Sequence, residues 1–147
     1  VLTDLLSAHP APENFHILPT TRDPRTNLAL SSRNAYLSPE ELEVSPTLFK
    51  ALSSAQSLFD SRKDSITGEG LVAAATQTIL DLQDSLGIDD TPTRVDVRLD
   101  YIEVFDKYTF EPVRGPIPKR KELVIAGAMW VGKTRLIDNL LLGWKVD

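Results

Sequence analysis

The sequence predicts an α+β domain in which helices pack on a small antiparallel three-stranded sheet. Apolar residues recur at helical spacing between residues 38 and 86, and beyond Pro92 the period switches to two. Helical segments therefore come first and a run of strands follows. Residues 1–8 have the apolar spacing of a helix end, and His9-Pro10-Ala11-Pro12 stops it because proline cannot continue the hydrogen-bond ladder. Phe15-His16-Ile17-Leu18-Pro19 then reads as a short buried strand, and residues 20–37 as a loop. Ser38-Pro39-Glu40-Glu41 is a helix start: serine as N-cap, proline at the first helical position, and glutamate three after the cap. Pro46 interrupts this first turn, and a main helix is predicted over 46–61 with a stripe of Leu48, Leu52, Ala55, Leu58 and Phe59. After the polar break Arg62-Lys63-Asp64, a second helix spans 68–86, with Leu71, Ala74, Ala75, Thr78, Ile79 and Leu82 on one side. Gly87 is placed as its C-cap. Alternation over 98–105 predicts a first strand and 121–130 a second, joined by a proline-bearing loop; Gly132 turns the chain into a third over 134–138.

Composition narrows the function classes. A chain of 147 residues holds one domain with a modest core, or a domain plus a fragment of another. Apolar residues make up 41% and charged residues 25%, as in an ordinary globular protein. A net charge of −5 argues against a surface that coats nucleic acid. With no cysteine and two histidines, the chain lacks disulfides, thiolate sites and the ligands of a structural zinc site. No metal site is predicted. No apolar run is long enough to cross a membrane, and no signal peptide is legible, so a cytoplasmic location is expected.

The most informative stretch is Pro19-Thr20-Thr21-Arg22 followed by Asn27-Leu28-Ala29-Leu30-Ser31-Ser32-Arg33-Asn34. Small hydroxyls and free backbone N–H groups donate to phosphate oxygens without crowding them, and arginine grips such oxygens with a planar fork. Donors aimed at a charge that develops during reaction stabilise the transition state more than the ground state. Taken alone, two serines and an arginine also describe a polar turn opening a helix.

The context, continued by Tyr36-Leu37-Ser38-Pro39-Glu40-Glu41, resembles the second ATP-binding signature of the pantothenate synthetase (pantoate–β-alanine ligase) family. A second resemblance lies in Leu99-Asp100-Tyr101-Ile102-Glu103-Val104 and in Ala128-Met129-Trp130-Val131-Gly132-Lys133-Thr134-Arg135-Leu136-Ile137-Asp138-Asn139, similar to that family's closing hairpin. The resemblance implies an ATP-dependent ligase that joins pantoate to β-alanine through a pantoyl adenylate, with Mg2+ accompanying the ATP. It implies that Ser31, Ser32 and Arg33 contact the ATP phosphates with Leu30 beside them. Arg33 would stabilise the charge of departing pyrophosphate, and Thr21 would meet the base through main-chain atoms. Asn34 is expected to hold the loop through its amide. The family's His-x-Gly-His element is absent, and the chain begins at Val1. The expectation is therefore the C-terminal part of a longer enzyme. Residues 1–37 would be the stub of an α/β nucleotide-binding domain plus the signature loop, and 38–147 an α+β lid. Such a fragment is expected to be inactive alone, with room for a homodimer through the missing domain. The alternative is a stand-alone interaction module that kept the lid fold without catalysis.

Two departures stand out. The family pattern Arg-Glu-x-Asp-Gly-Leu-Ala is here Arg22-Asp23-Pro24-Arg25-Thr26-Asn27-Leu28-Ala29, one residue longer and with asparagine in place of glycine. Asparagine tolerates the left-handed conformation, so the turn is expected to survive. The extra residue bears on the approach of Thr21 to the base and leaves the Ser-Ser-Arg group untouched. Gly127 to Thr134 also matches a phosphate-binding loop, the basis of a third reading as a nucleoside triphosphatase using Lys133. Bulky Met129-Trp130-Val131 continue the strand, however, and the Gly-Lys-Thr turn reads as a hairpin corner. Arg114, Lys119, Arg120 and Lys121 read as a solvated basic loop, and Asp81, Asp84, Asp89 and Asp90 are assigned no chemistry.

Overall fold

The structure is a computed structural model and describes residues 20–61, 66–87, 95–118 and 121–144. The predicted helix end and strand before Thr20, the break at 62–64, Asp89, Asp90, Lys119 and Arg120 lie outside the described residues. Helix α1 spans Pro39–Val44, α2 Thr47–Asp60 and α3 Gly68–Gly87, followed by strands β1 Val97–Asp106, β2 Leu123–Val131 and β3 Thr134–Leu142. The sheet is antiparallel in the order β1-β2-β3, and the helices cover one face. The predicted α+β architecture is present.

Capping begins α1 as the sequence predicts. Ser38 N–H donates to Glu41 Oε2 at 2.8 Å, and Glu41 N–H donates to Ser38 Oγ at 3.2 Å. Pro46 starts α2, whose Leu48, Ala51, Leu52 and Ala55 are buried against Leu71, Ala75 and Ile79 of α3. The alanines let the two helices approach closely. Ser54 Oγ then donates across the gap to the Ala74 carbonyl at 3.1 Å, satisfying a hydroxyl inside the interface. Helix α3 reaches Gly87, and the residues that would cap it lie outside the described segments.

The strands correct the sequence reading in two places. The third strand runs to Leu142 rather than ending at residue 138, because Leu123 of β2 extends the pairing as far as Leu142. The first strand carries a bulge between Leu99 and Tyr101. One extra residue reverses the parity of a strand, since side chains alternate with period two. Val97 therefore faces the core before the bulge, whereas Ile102, Val104 and Asp106 face it afterwards. The Gly-Lys-Thr segment is a two-residue turn between paired Val131 and Thr134, so Thr134 opens a strand and no helix N-terminus stands behind the glycine. This geometry overturns the phosphate-loop reading. Gly132 takes φ 55°, a conformation costly for any residue with a Cβ.

The loop after β1 is held by Asp106. Its Oδ1 accepts from Tyr108 N–H at 2.8 Å and Thr109 N–H at 3.0 Å, and its Oδ2 pairs with Lys121 Nζ at 2.5 Å. The Lys121 ammonium is the largest of the influences that lower its pKa to about 2. Arg114 forms a two-pronged pair with Glu103 at 2.5 and 2.6 Å. Both described members of the basic loop are thus ion-paired.

Candidate functional site

Residues 20–37 fold into a hairpin and a 3-10 turn beside β3. Thr21 and Leu30 close the hairpin through Leu30 N–H to Thr21 O at 2.9 Å, and Arg22 bridges to Ala29. At its tip, Asp23 Oδ1 accepts from Arg25 N–H at 2.9 Å and Thr26 N–H at 3.0 Å. Those two backbone donors hold the Asp23 carboxyl below its ordinary range. Asn27 sits at φ 63°, the left-handed conformation that its side chain tolerates. The extra residue of this hairpin is accommodated in a tip that leaves the Thr21–Leu30 pairing closed.

Arg22 ties the hairpin to the sheet. Its NH1 and NH2 donate to Asp138 Oδ2 and Oδ1 at 2.5 and 2.8 Å, its guanidinium lies 4.3 Å over the Phe49 ring, and NH1 reaches the Asn27 carbonyl at 3.3 Å. The paired side chains are only 14% and 4% exposed. Sequence reading gave neither residue a role, although Asp138 shares the parity of buried Thr134 and Leu136. A charge on a core-facing strand position signals a buried partner, which here lies 116 residues earlier.

From this clamp the chain passes to Leu30, Ser31 and Arg33, which line a groove of about 390 Å³ together with Thr20, Asn34, Phe49 and residues of β3. Ser31 caps the 3-10 turn Ser32–Tyr36, its Oγ accepting from Arg33 N–H at 3.2 Å. The Ser31 hydroxyl proton remains able to donate. The Arg33 guanidinium is exposed and makes no ion pair or hydrogen bond with any described residue. Ser32 and Thr21 are exposed and do not line the groove, and the Thr21 carbonyl is occupied by Leu30. Asn34 behaves as the sequence predicts: its Nδ2 donates to the Ala29 carbonyl at 3.0 Å and holds the turn against the hairpin. Its Oδ1 is the one buried side-chain nitrogen or oxygen among the described residues with no hydrogen-bond partner.

The groove offers donors: the Ser31 hydroxyl and a guanidinium that has no partner among the described residues, whereas the Arg33 and Asn34 N–H groups of the turn are taken up by Ser31 Oγ and the Ser31 carbonyl. An anion with several oxygens, such as a phosphate chain, suits that set. Among the described residues, no group of three or more His, Asp or Glu side chains is placed to hold a metal ion. No described helix is long and apolar enough to cross a membrane.

Comparison with known proteins agrees with the fold. The family profile described as pantoate-beta-alanine ligase matches residues 1–141. Pantothenate synthetase of Thermotoga neapolitana is 36% identical over 126 residues, covering 85% of this chain and 38% of that protein. The bifunctional pantoate ligase/cytidylate kinase of a Synechocystis strain is 33% identical over 121 residues, covering 82% of this chain and 21% of that protein. A crystal structure of pantothenate synthetase from Thermus thermophilus superposes with a TM-score of 0.62 at 27% identity, over 84% of this chain and 38% of that one. The chain thus spans well under half the length of these relatives. On the profile match over nearly its whole length, the chain belongs to the pantoate–β-alanine ligase family.

Proposed function

We propose that this chain is the lid-bearing C-terminal portion of an ATP-dependent ligase that condenses pantoate with β-alanine. Residues 38–147 form the lid in this reading, and residues 1–37 join it to a nucleotide-binding domain. In the first step a pantoate carboxylate oxygen bonds to the α-phosphorus of ATP, and the bond to the β,γ-diphosphate breaks, releasing pyrophosphate. In the second step the β-alanine amine attacks the acyl carbon of the adenylate, AMP departs with the C–O electron pair, and the amine gives up its proton. Mg2+ accompanying the nucleotide would help neutralise its phosphate charge.

The observation that carries the reading is Arg33: a guanidinium without a carboxylate partner among the described residues, beside Ser31, on a turn that Asn34 and the Arg22 clamp hold in place. An unpaired cation fixed near a leaving group is stabilised by the charge that accumulates there, and this lowers the barrier. Ser31 and Ser32 would donate hydroxyl hydrogen bonds to the phosphate oxygens, Leu30 would flank them, and the Thr21 main chain would face the base. Closure of the lid would keep water from the hydrolysable adenylate. The pantoate and β-alanine pockets would be supplied by the other domain, so the chain alone is expected to make no pantothenate.

The test uses the full-length protein, wild type and Arg33→Ala, supplied with Mg·ATP with and without pantoate and β-alanine. AMP release that needs pantoate and β-alanine, and falls by about 10²-fold or more in the variant, supports the reading. ADP release indifferent to pantoate and to Arg33 refutes it.

A further inference from the structure

The Gly-Lys-Thr corner has no part in the ligase reading, yet it stands beside the signature loop. Lys133 lines an open groove of about 830 Å³ together with Arg33, Tyr36, Glu41, Trp130 and Arg135. The charges in this groove are not equivalent. Arg135 is neutralised by Asp100, with Nε and NH2 at 2.8 and 2.7 Å from Oδ2. Glu41 is engaged by the Ser38 N–H at 2.8 Å as part of the α1 cap. Arg33 and Lys133 remain, and neither makes an ion pair or a side-chain hydrogen bond with any described residue.

The backbone also links the two cations. Ser38 follows Arg33 by five positions, Glu41 folds back onto Ser38, and the Glu41 carboxylate packs against Gly132, where a Cβ would stand 1.9 Å from Oε1. The hairpin corner is thus held against the start of α1, directly after the Ser-Ser-Arg turn. Glu41 keeps its negative charge in this groove, but Arg33 and Lys133 outnumber it, and neither is ion-paired to a described residue, so an anion reaching both is held by two cations. Arginine supplies a fixed fork, and lysine a mobile point charge that can follow an oxygen.

We propose that Lys133 joins Arg33 as a second cationic contact for a linked-phosphate anion, binding the pyrophosphate moiety rather than the nucleoside. The identity of that anion rests on the ligase reading; the pairing of the two cations does not. The test is calorimetric titration of the full-length protein with inorganic pyrophosphate and, separately, with AMP. Wild type, Lys133→Gln, Lys133→Arg and Arg33→Ala are compared. Lys133→Gln should weaken pyrophosphate binding by about tenfold, the size of one charge-assisted contact. AMP binding should be unchanged, and Lys133→Arg should restore most of the loss. Pyrophosphate binding by Lys133→Gln equal to wild type, or no pyrophosphate binding by wild type, overturns the proposal. Equal weakening of AMP and pyrophosphate also overturns it, because it assigns Lys133 a purely structural role. The ligase reading fails on a different result, ADP release indifferent to pantoate and to Arg33, so the two failures are distinguishable.

Discussion

Removing the Arg22 side chain should be among the most disruptive changes available outside the hydrophobic core. Arg22→Ala strips Asp138 of both guanidinium hydrogen bonds and leaves a carboxylate that is 4% exposed, with the Asn139 N–H at 2.8 Å as its remaining donor. Breaking a buried pair from one side costs about 3–5 kcal/mol, because the surviving charge stays desolvated. The 14% exposure of Arg22 admits some water and points to the lower end. Loss of the stacking on Phe49 adds about 0.5–1 kcal/mol. The expected cost is therefore about 3–4 kcal/mol for the region carrying the clamp. With a urea dependence of about 2 kcal/mol/M, its unfolding midpoint should fall by about 1.5–2 M. Asp138→Ala should cost a similar amount, but the double variant should cost clearly less than the two singles summed, with a coupling of about 2 kcal/mol. Urea titrations of the four proteins, followed by the fluorescence of Trp130 and Trp144, measure this cycle. Additive single effects, or a midpoint unchanged in Arg22→Ala, would refute the claim that the hairpin is held by a buried ion pair.

Two further changes test the surrounding architecture. Gly132→Ala places a Cβ 1.9 Å from Glu41 Oε1 and forces φ 55° on an L-residue, so it should destabilise by about 2 kcal/mol or more and disturb the cap of α1; thermal unfolding checks this. Asp106 has a folded-state pKa of about 2, below the 3.8 of the free carboxyl. The stability it contributes is complete above the higher value and lost as pH falls through about 2. Lys121→Met should therefore flatten the acid limb of the stability curve between about pH 4 and 2; an unchanged limb would contradict the assignment.

Much of the fold was legible because local signals agreed with one another. Ser38, Pro39 and Glu41 specify a helix start by chemistry that acts within four residues, and the structure has that cap. The helical stripes identified Leu48, Leu52, Leu71 and Ile79 as core because apolar period alone decides which face is buried. The bulge in β1 escaped notice for a physical reason. Leu99, Tyr101, Ile102 and Val104 are apolar at both parities, so alternation could not show where the register slips. The candidate site divides similarly. Asn34 was readable as a loop holder because it acts within five residues. The Arg22–Asp138 clamp was not: the core-facing parity of Asp138 signals a buried partner, but nothing local singles out Arg22, 116 residues earlier.

The bulge has a consequence for how this domain meets other molecules in a crowded solution. A three-stranded sheet exposes two edges, and a long flat edge pairs readily with the edges of other chains. Here β1 is interrupted at Asp100 in its first half. Its second half is covered by the returning loop, where Phe105 bridges to Pro112 and Val113 N–H donates to the Val104 carbonyl at 2.7 Å. On the other side, the Arg22 guanidinium sits on Asp138 and reaches the Asn139 carbonyl in the middle of β3. Both margins of the sheet are thus blunted, by a kink and a proline on one and by a docked hairpin on the other. The groove can stay open to solvent without offering a template for strand-to-strand aggregation.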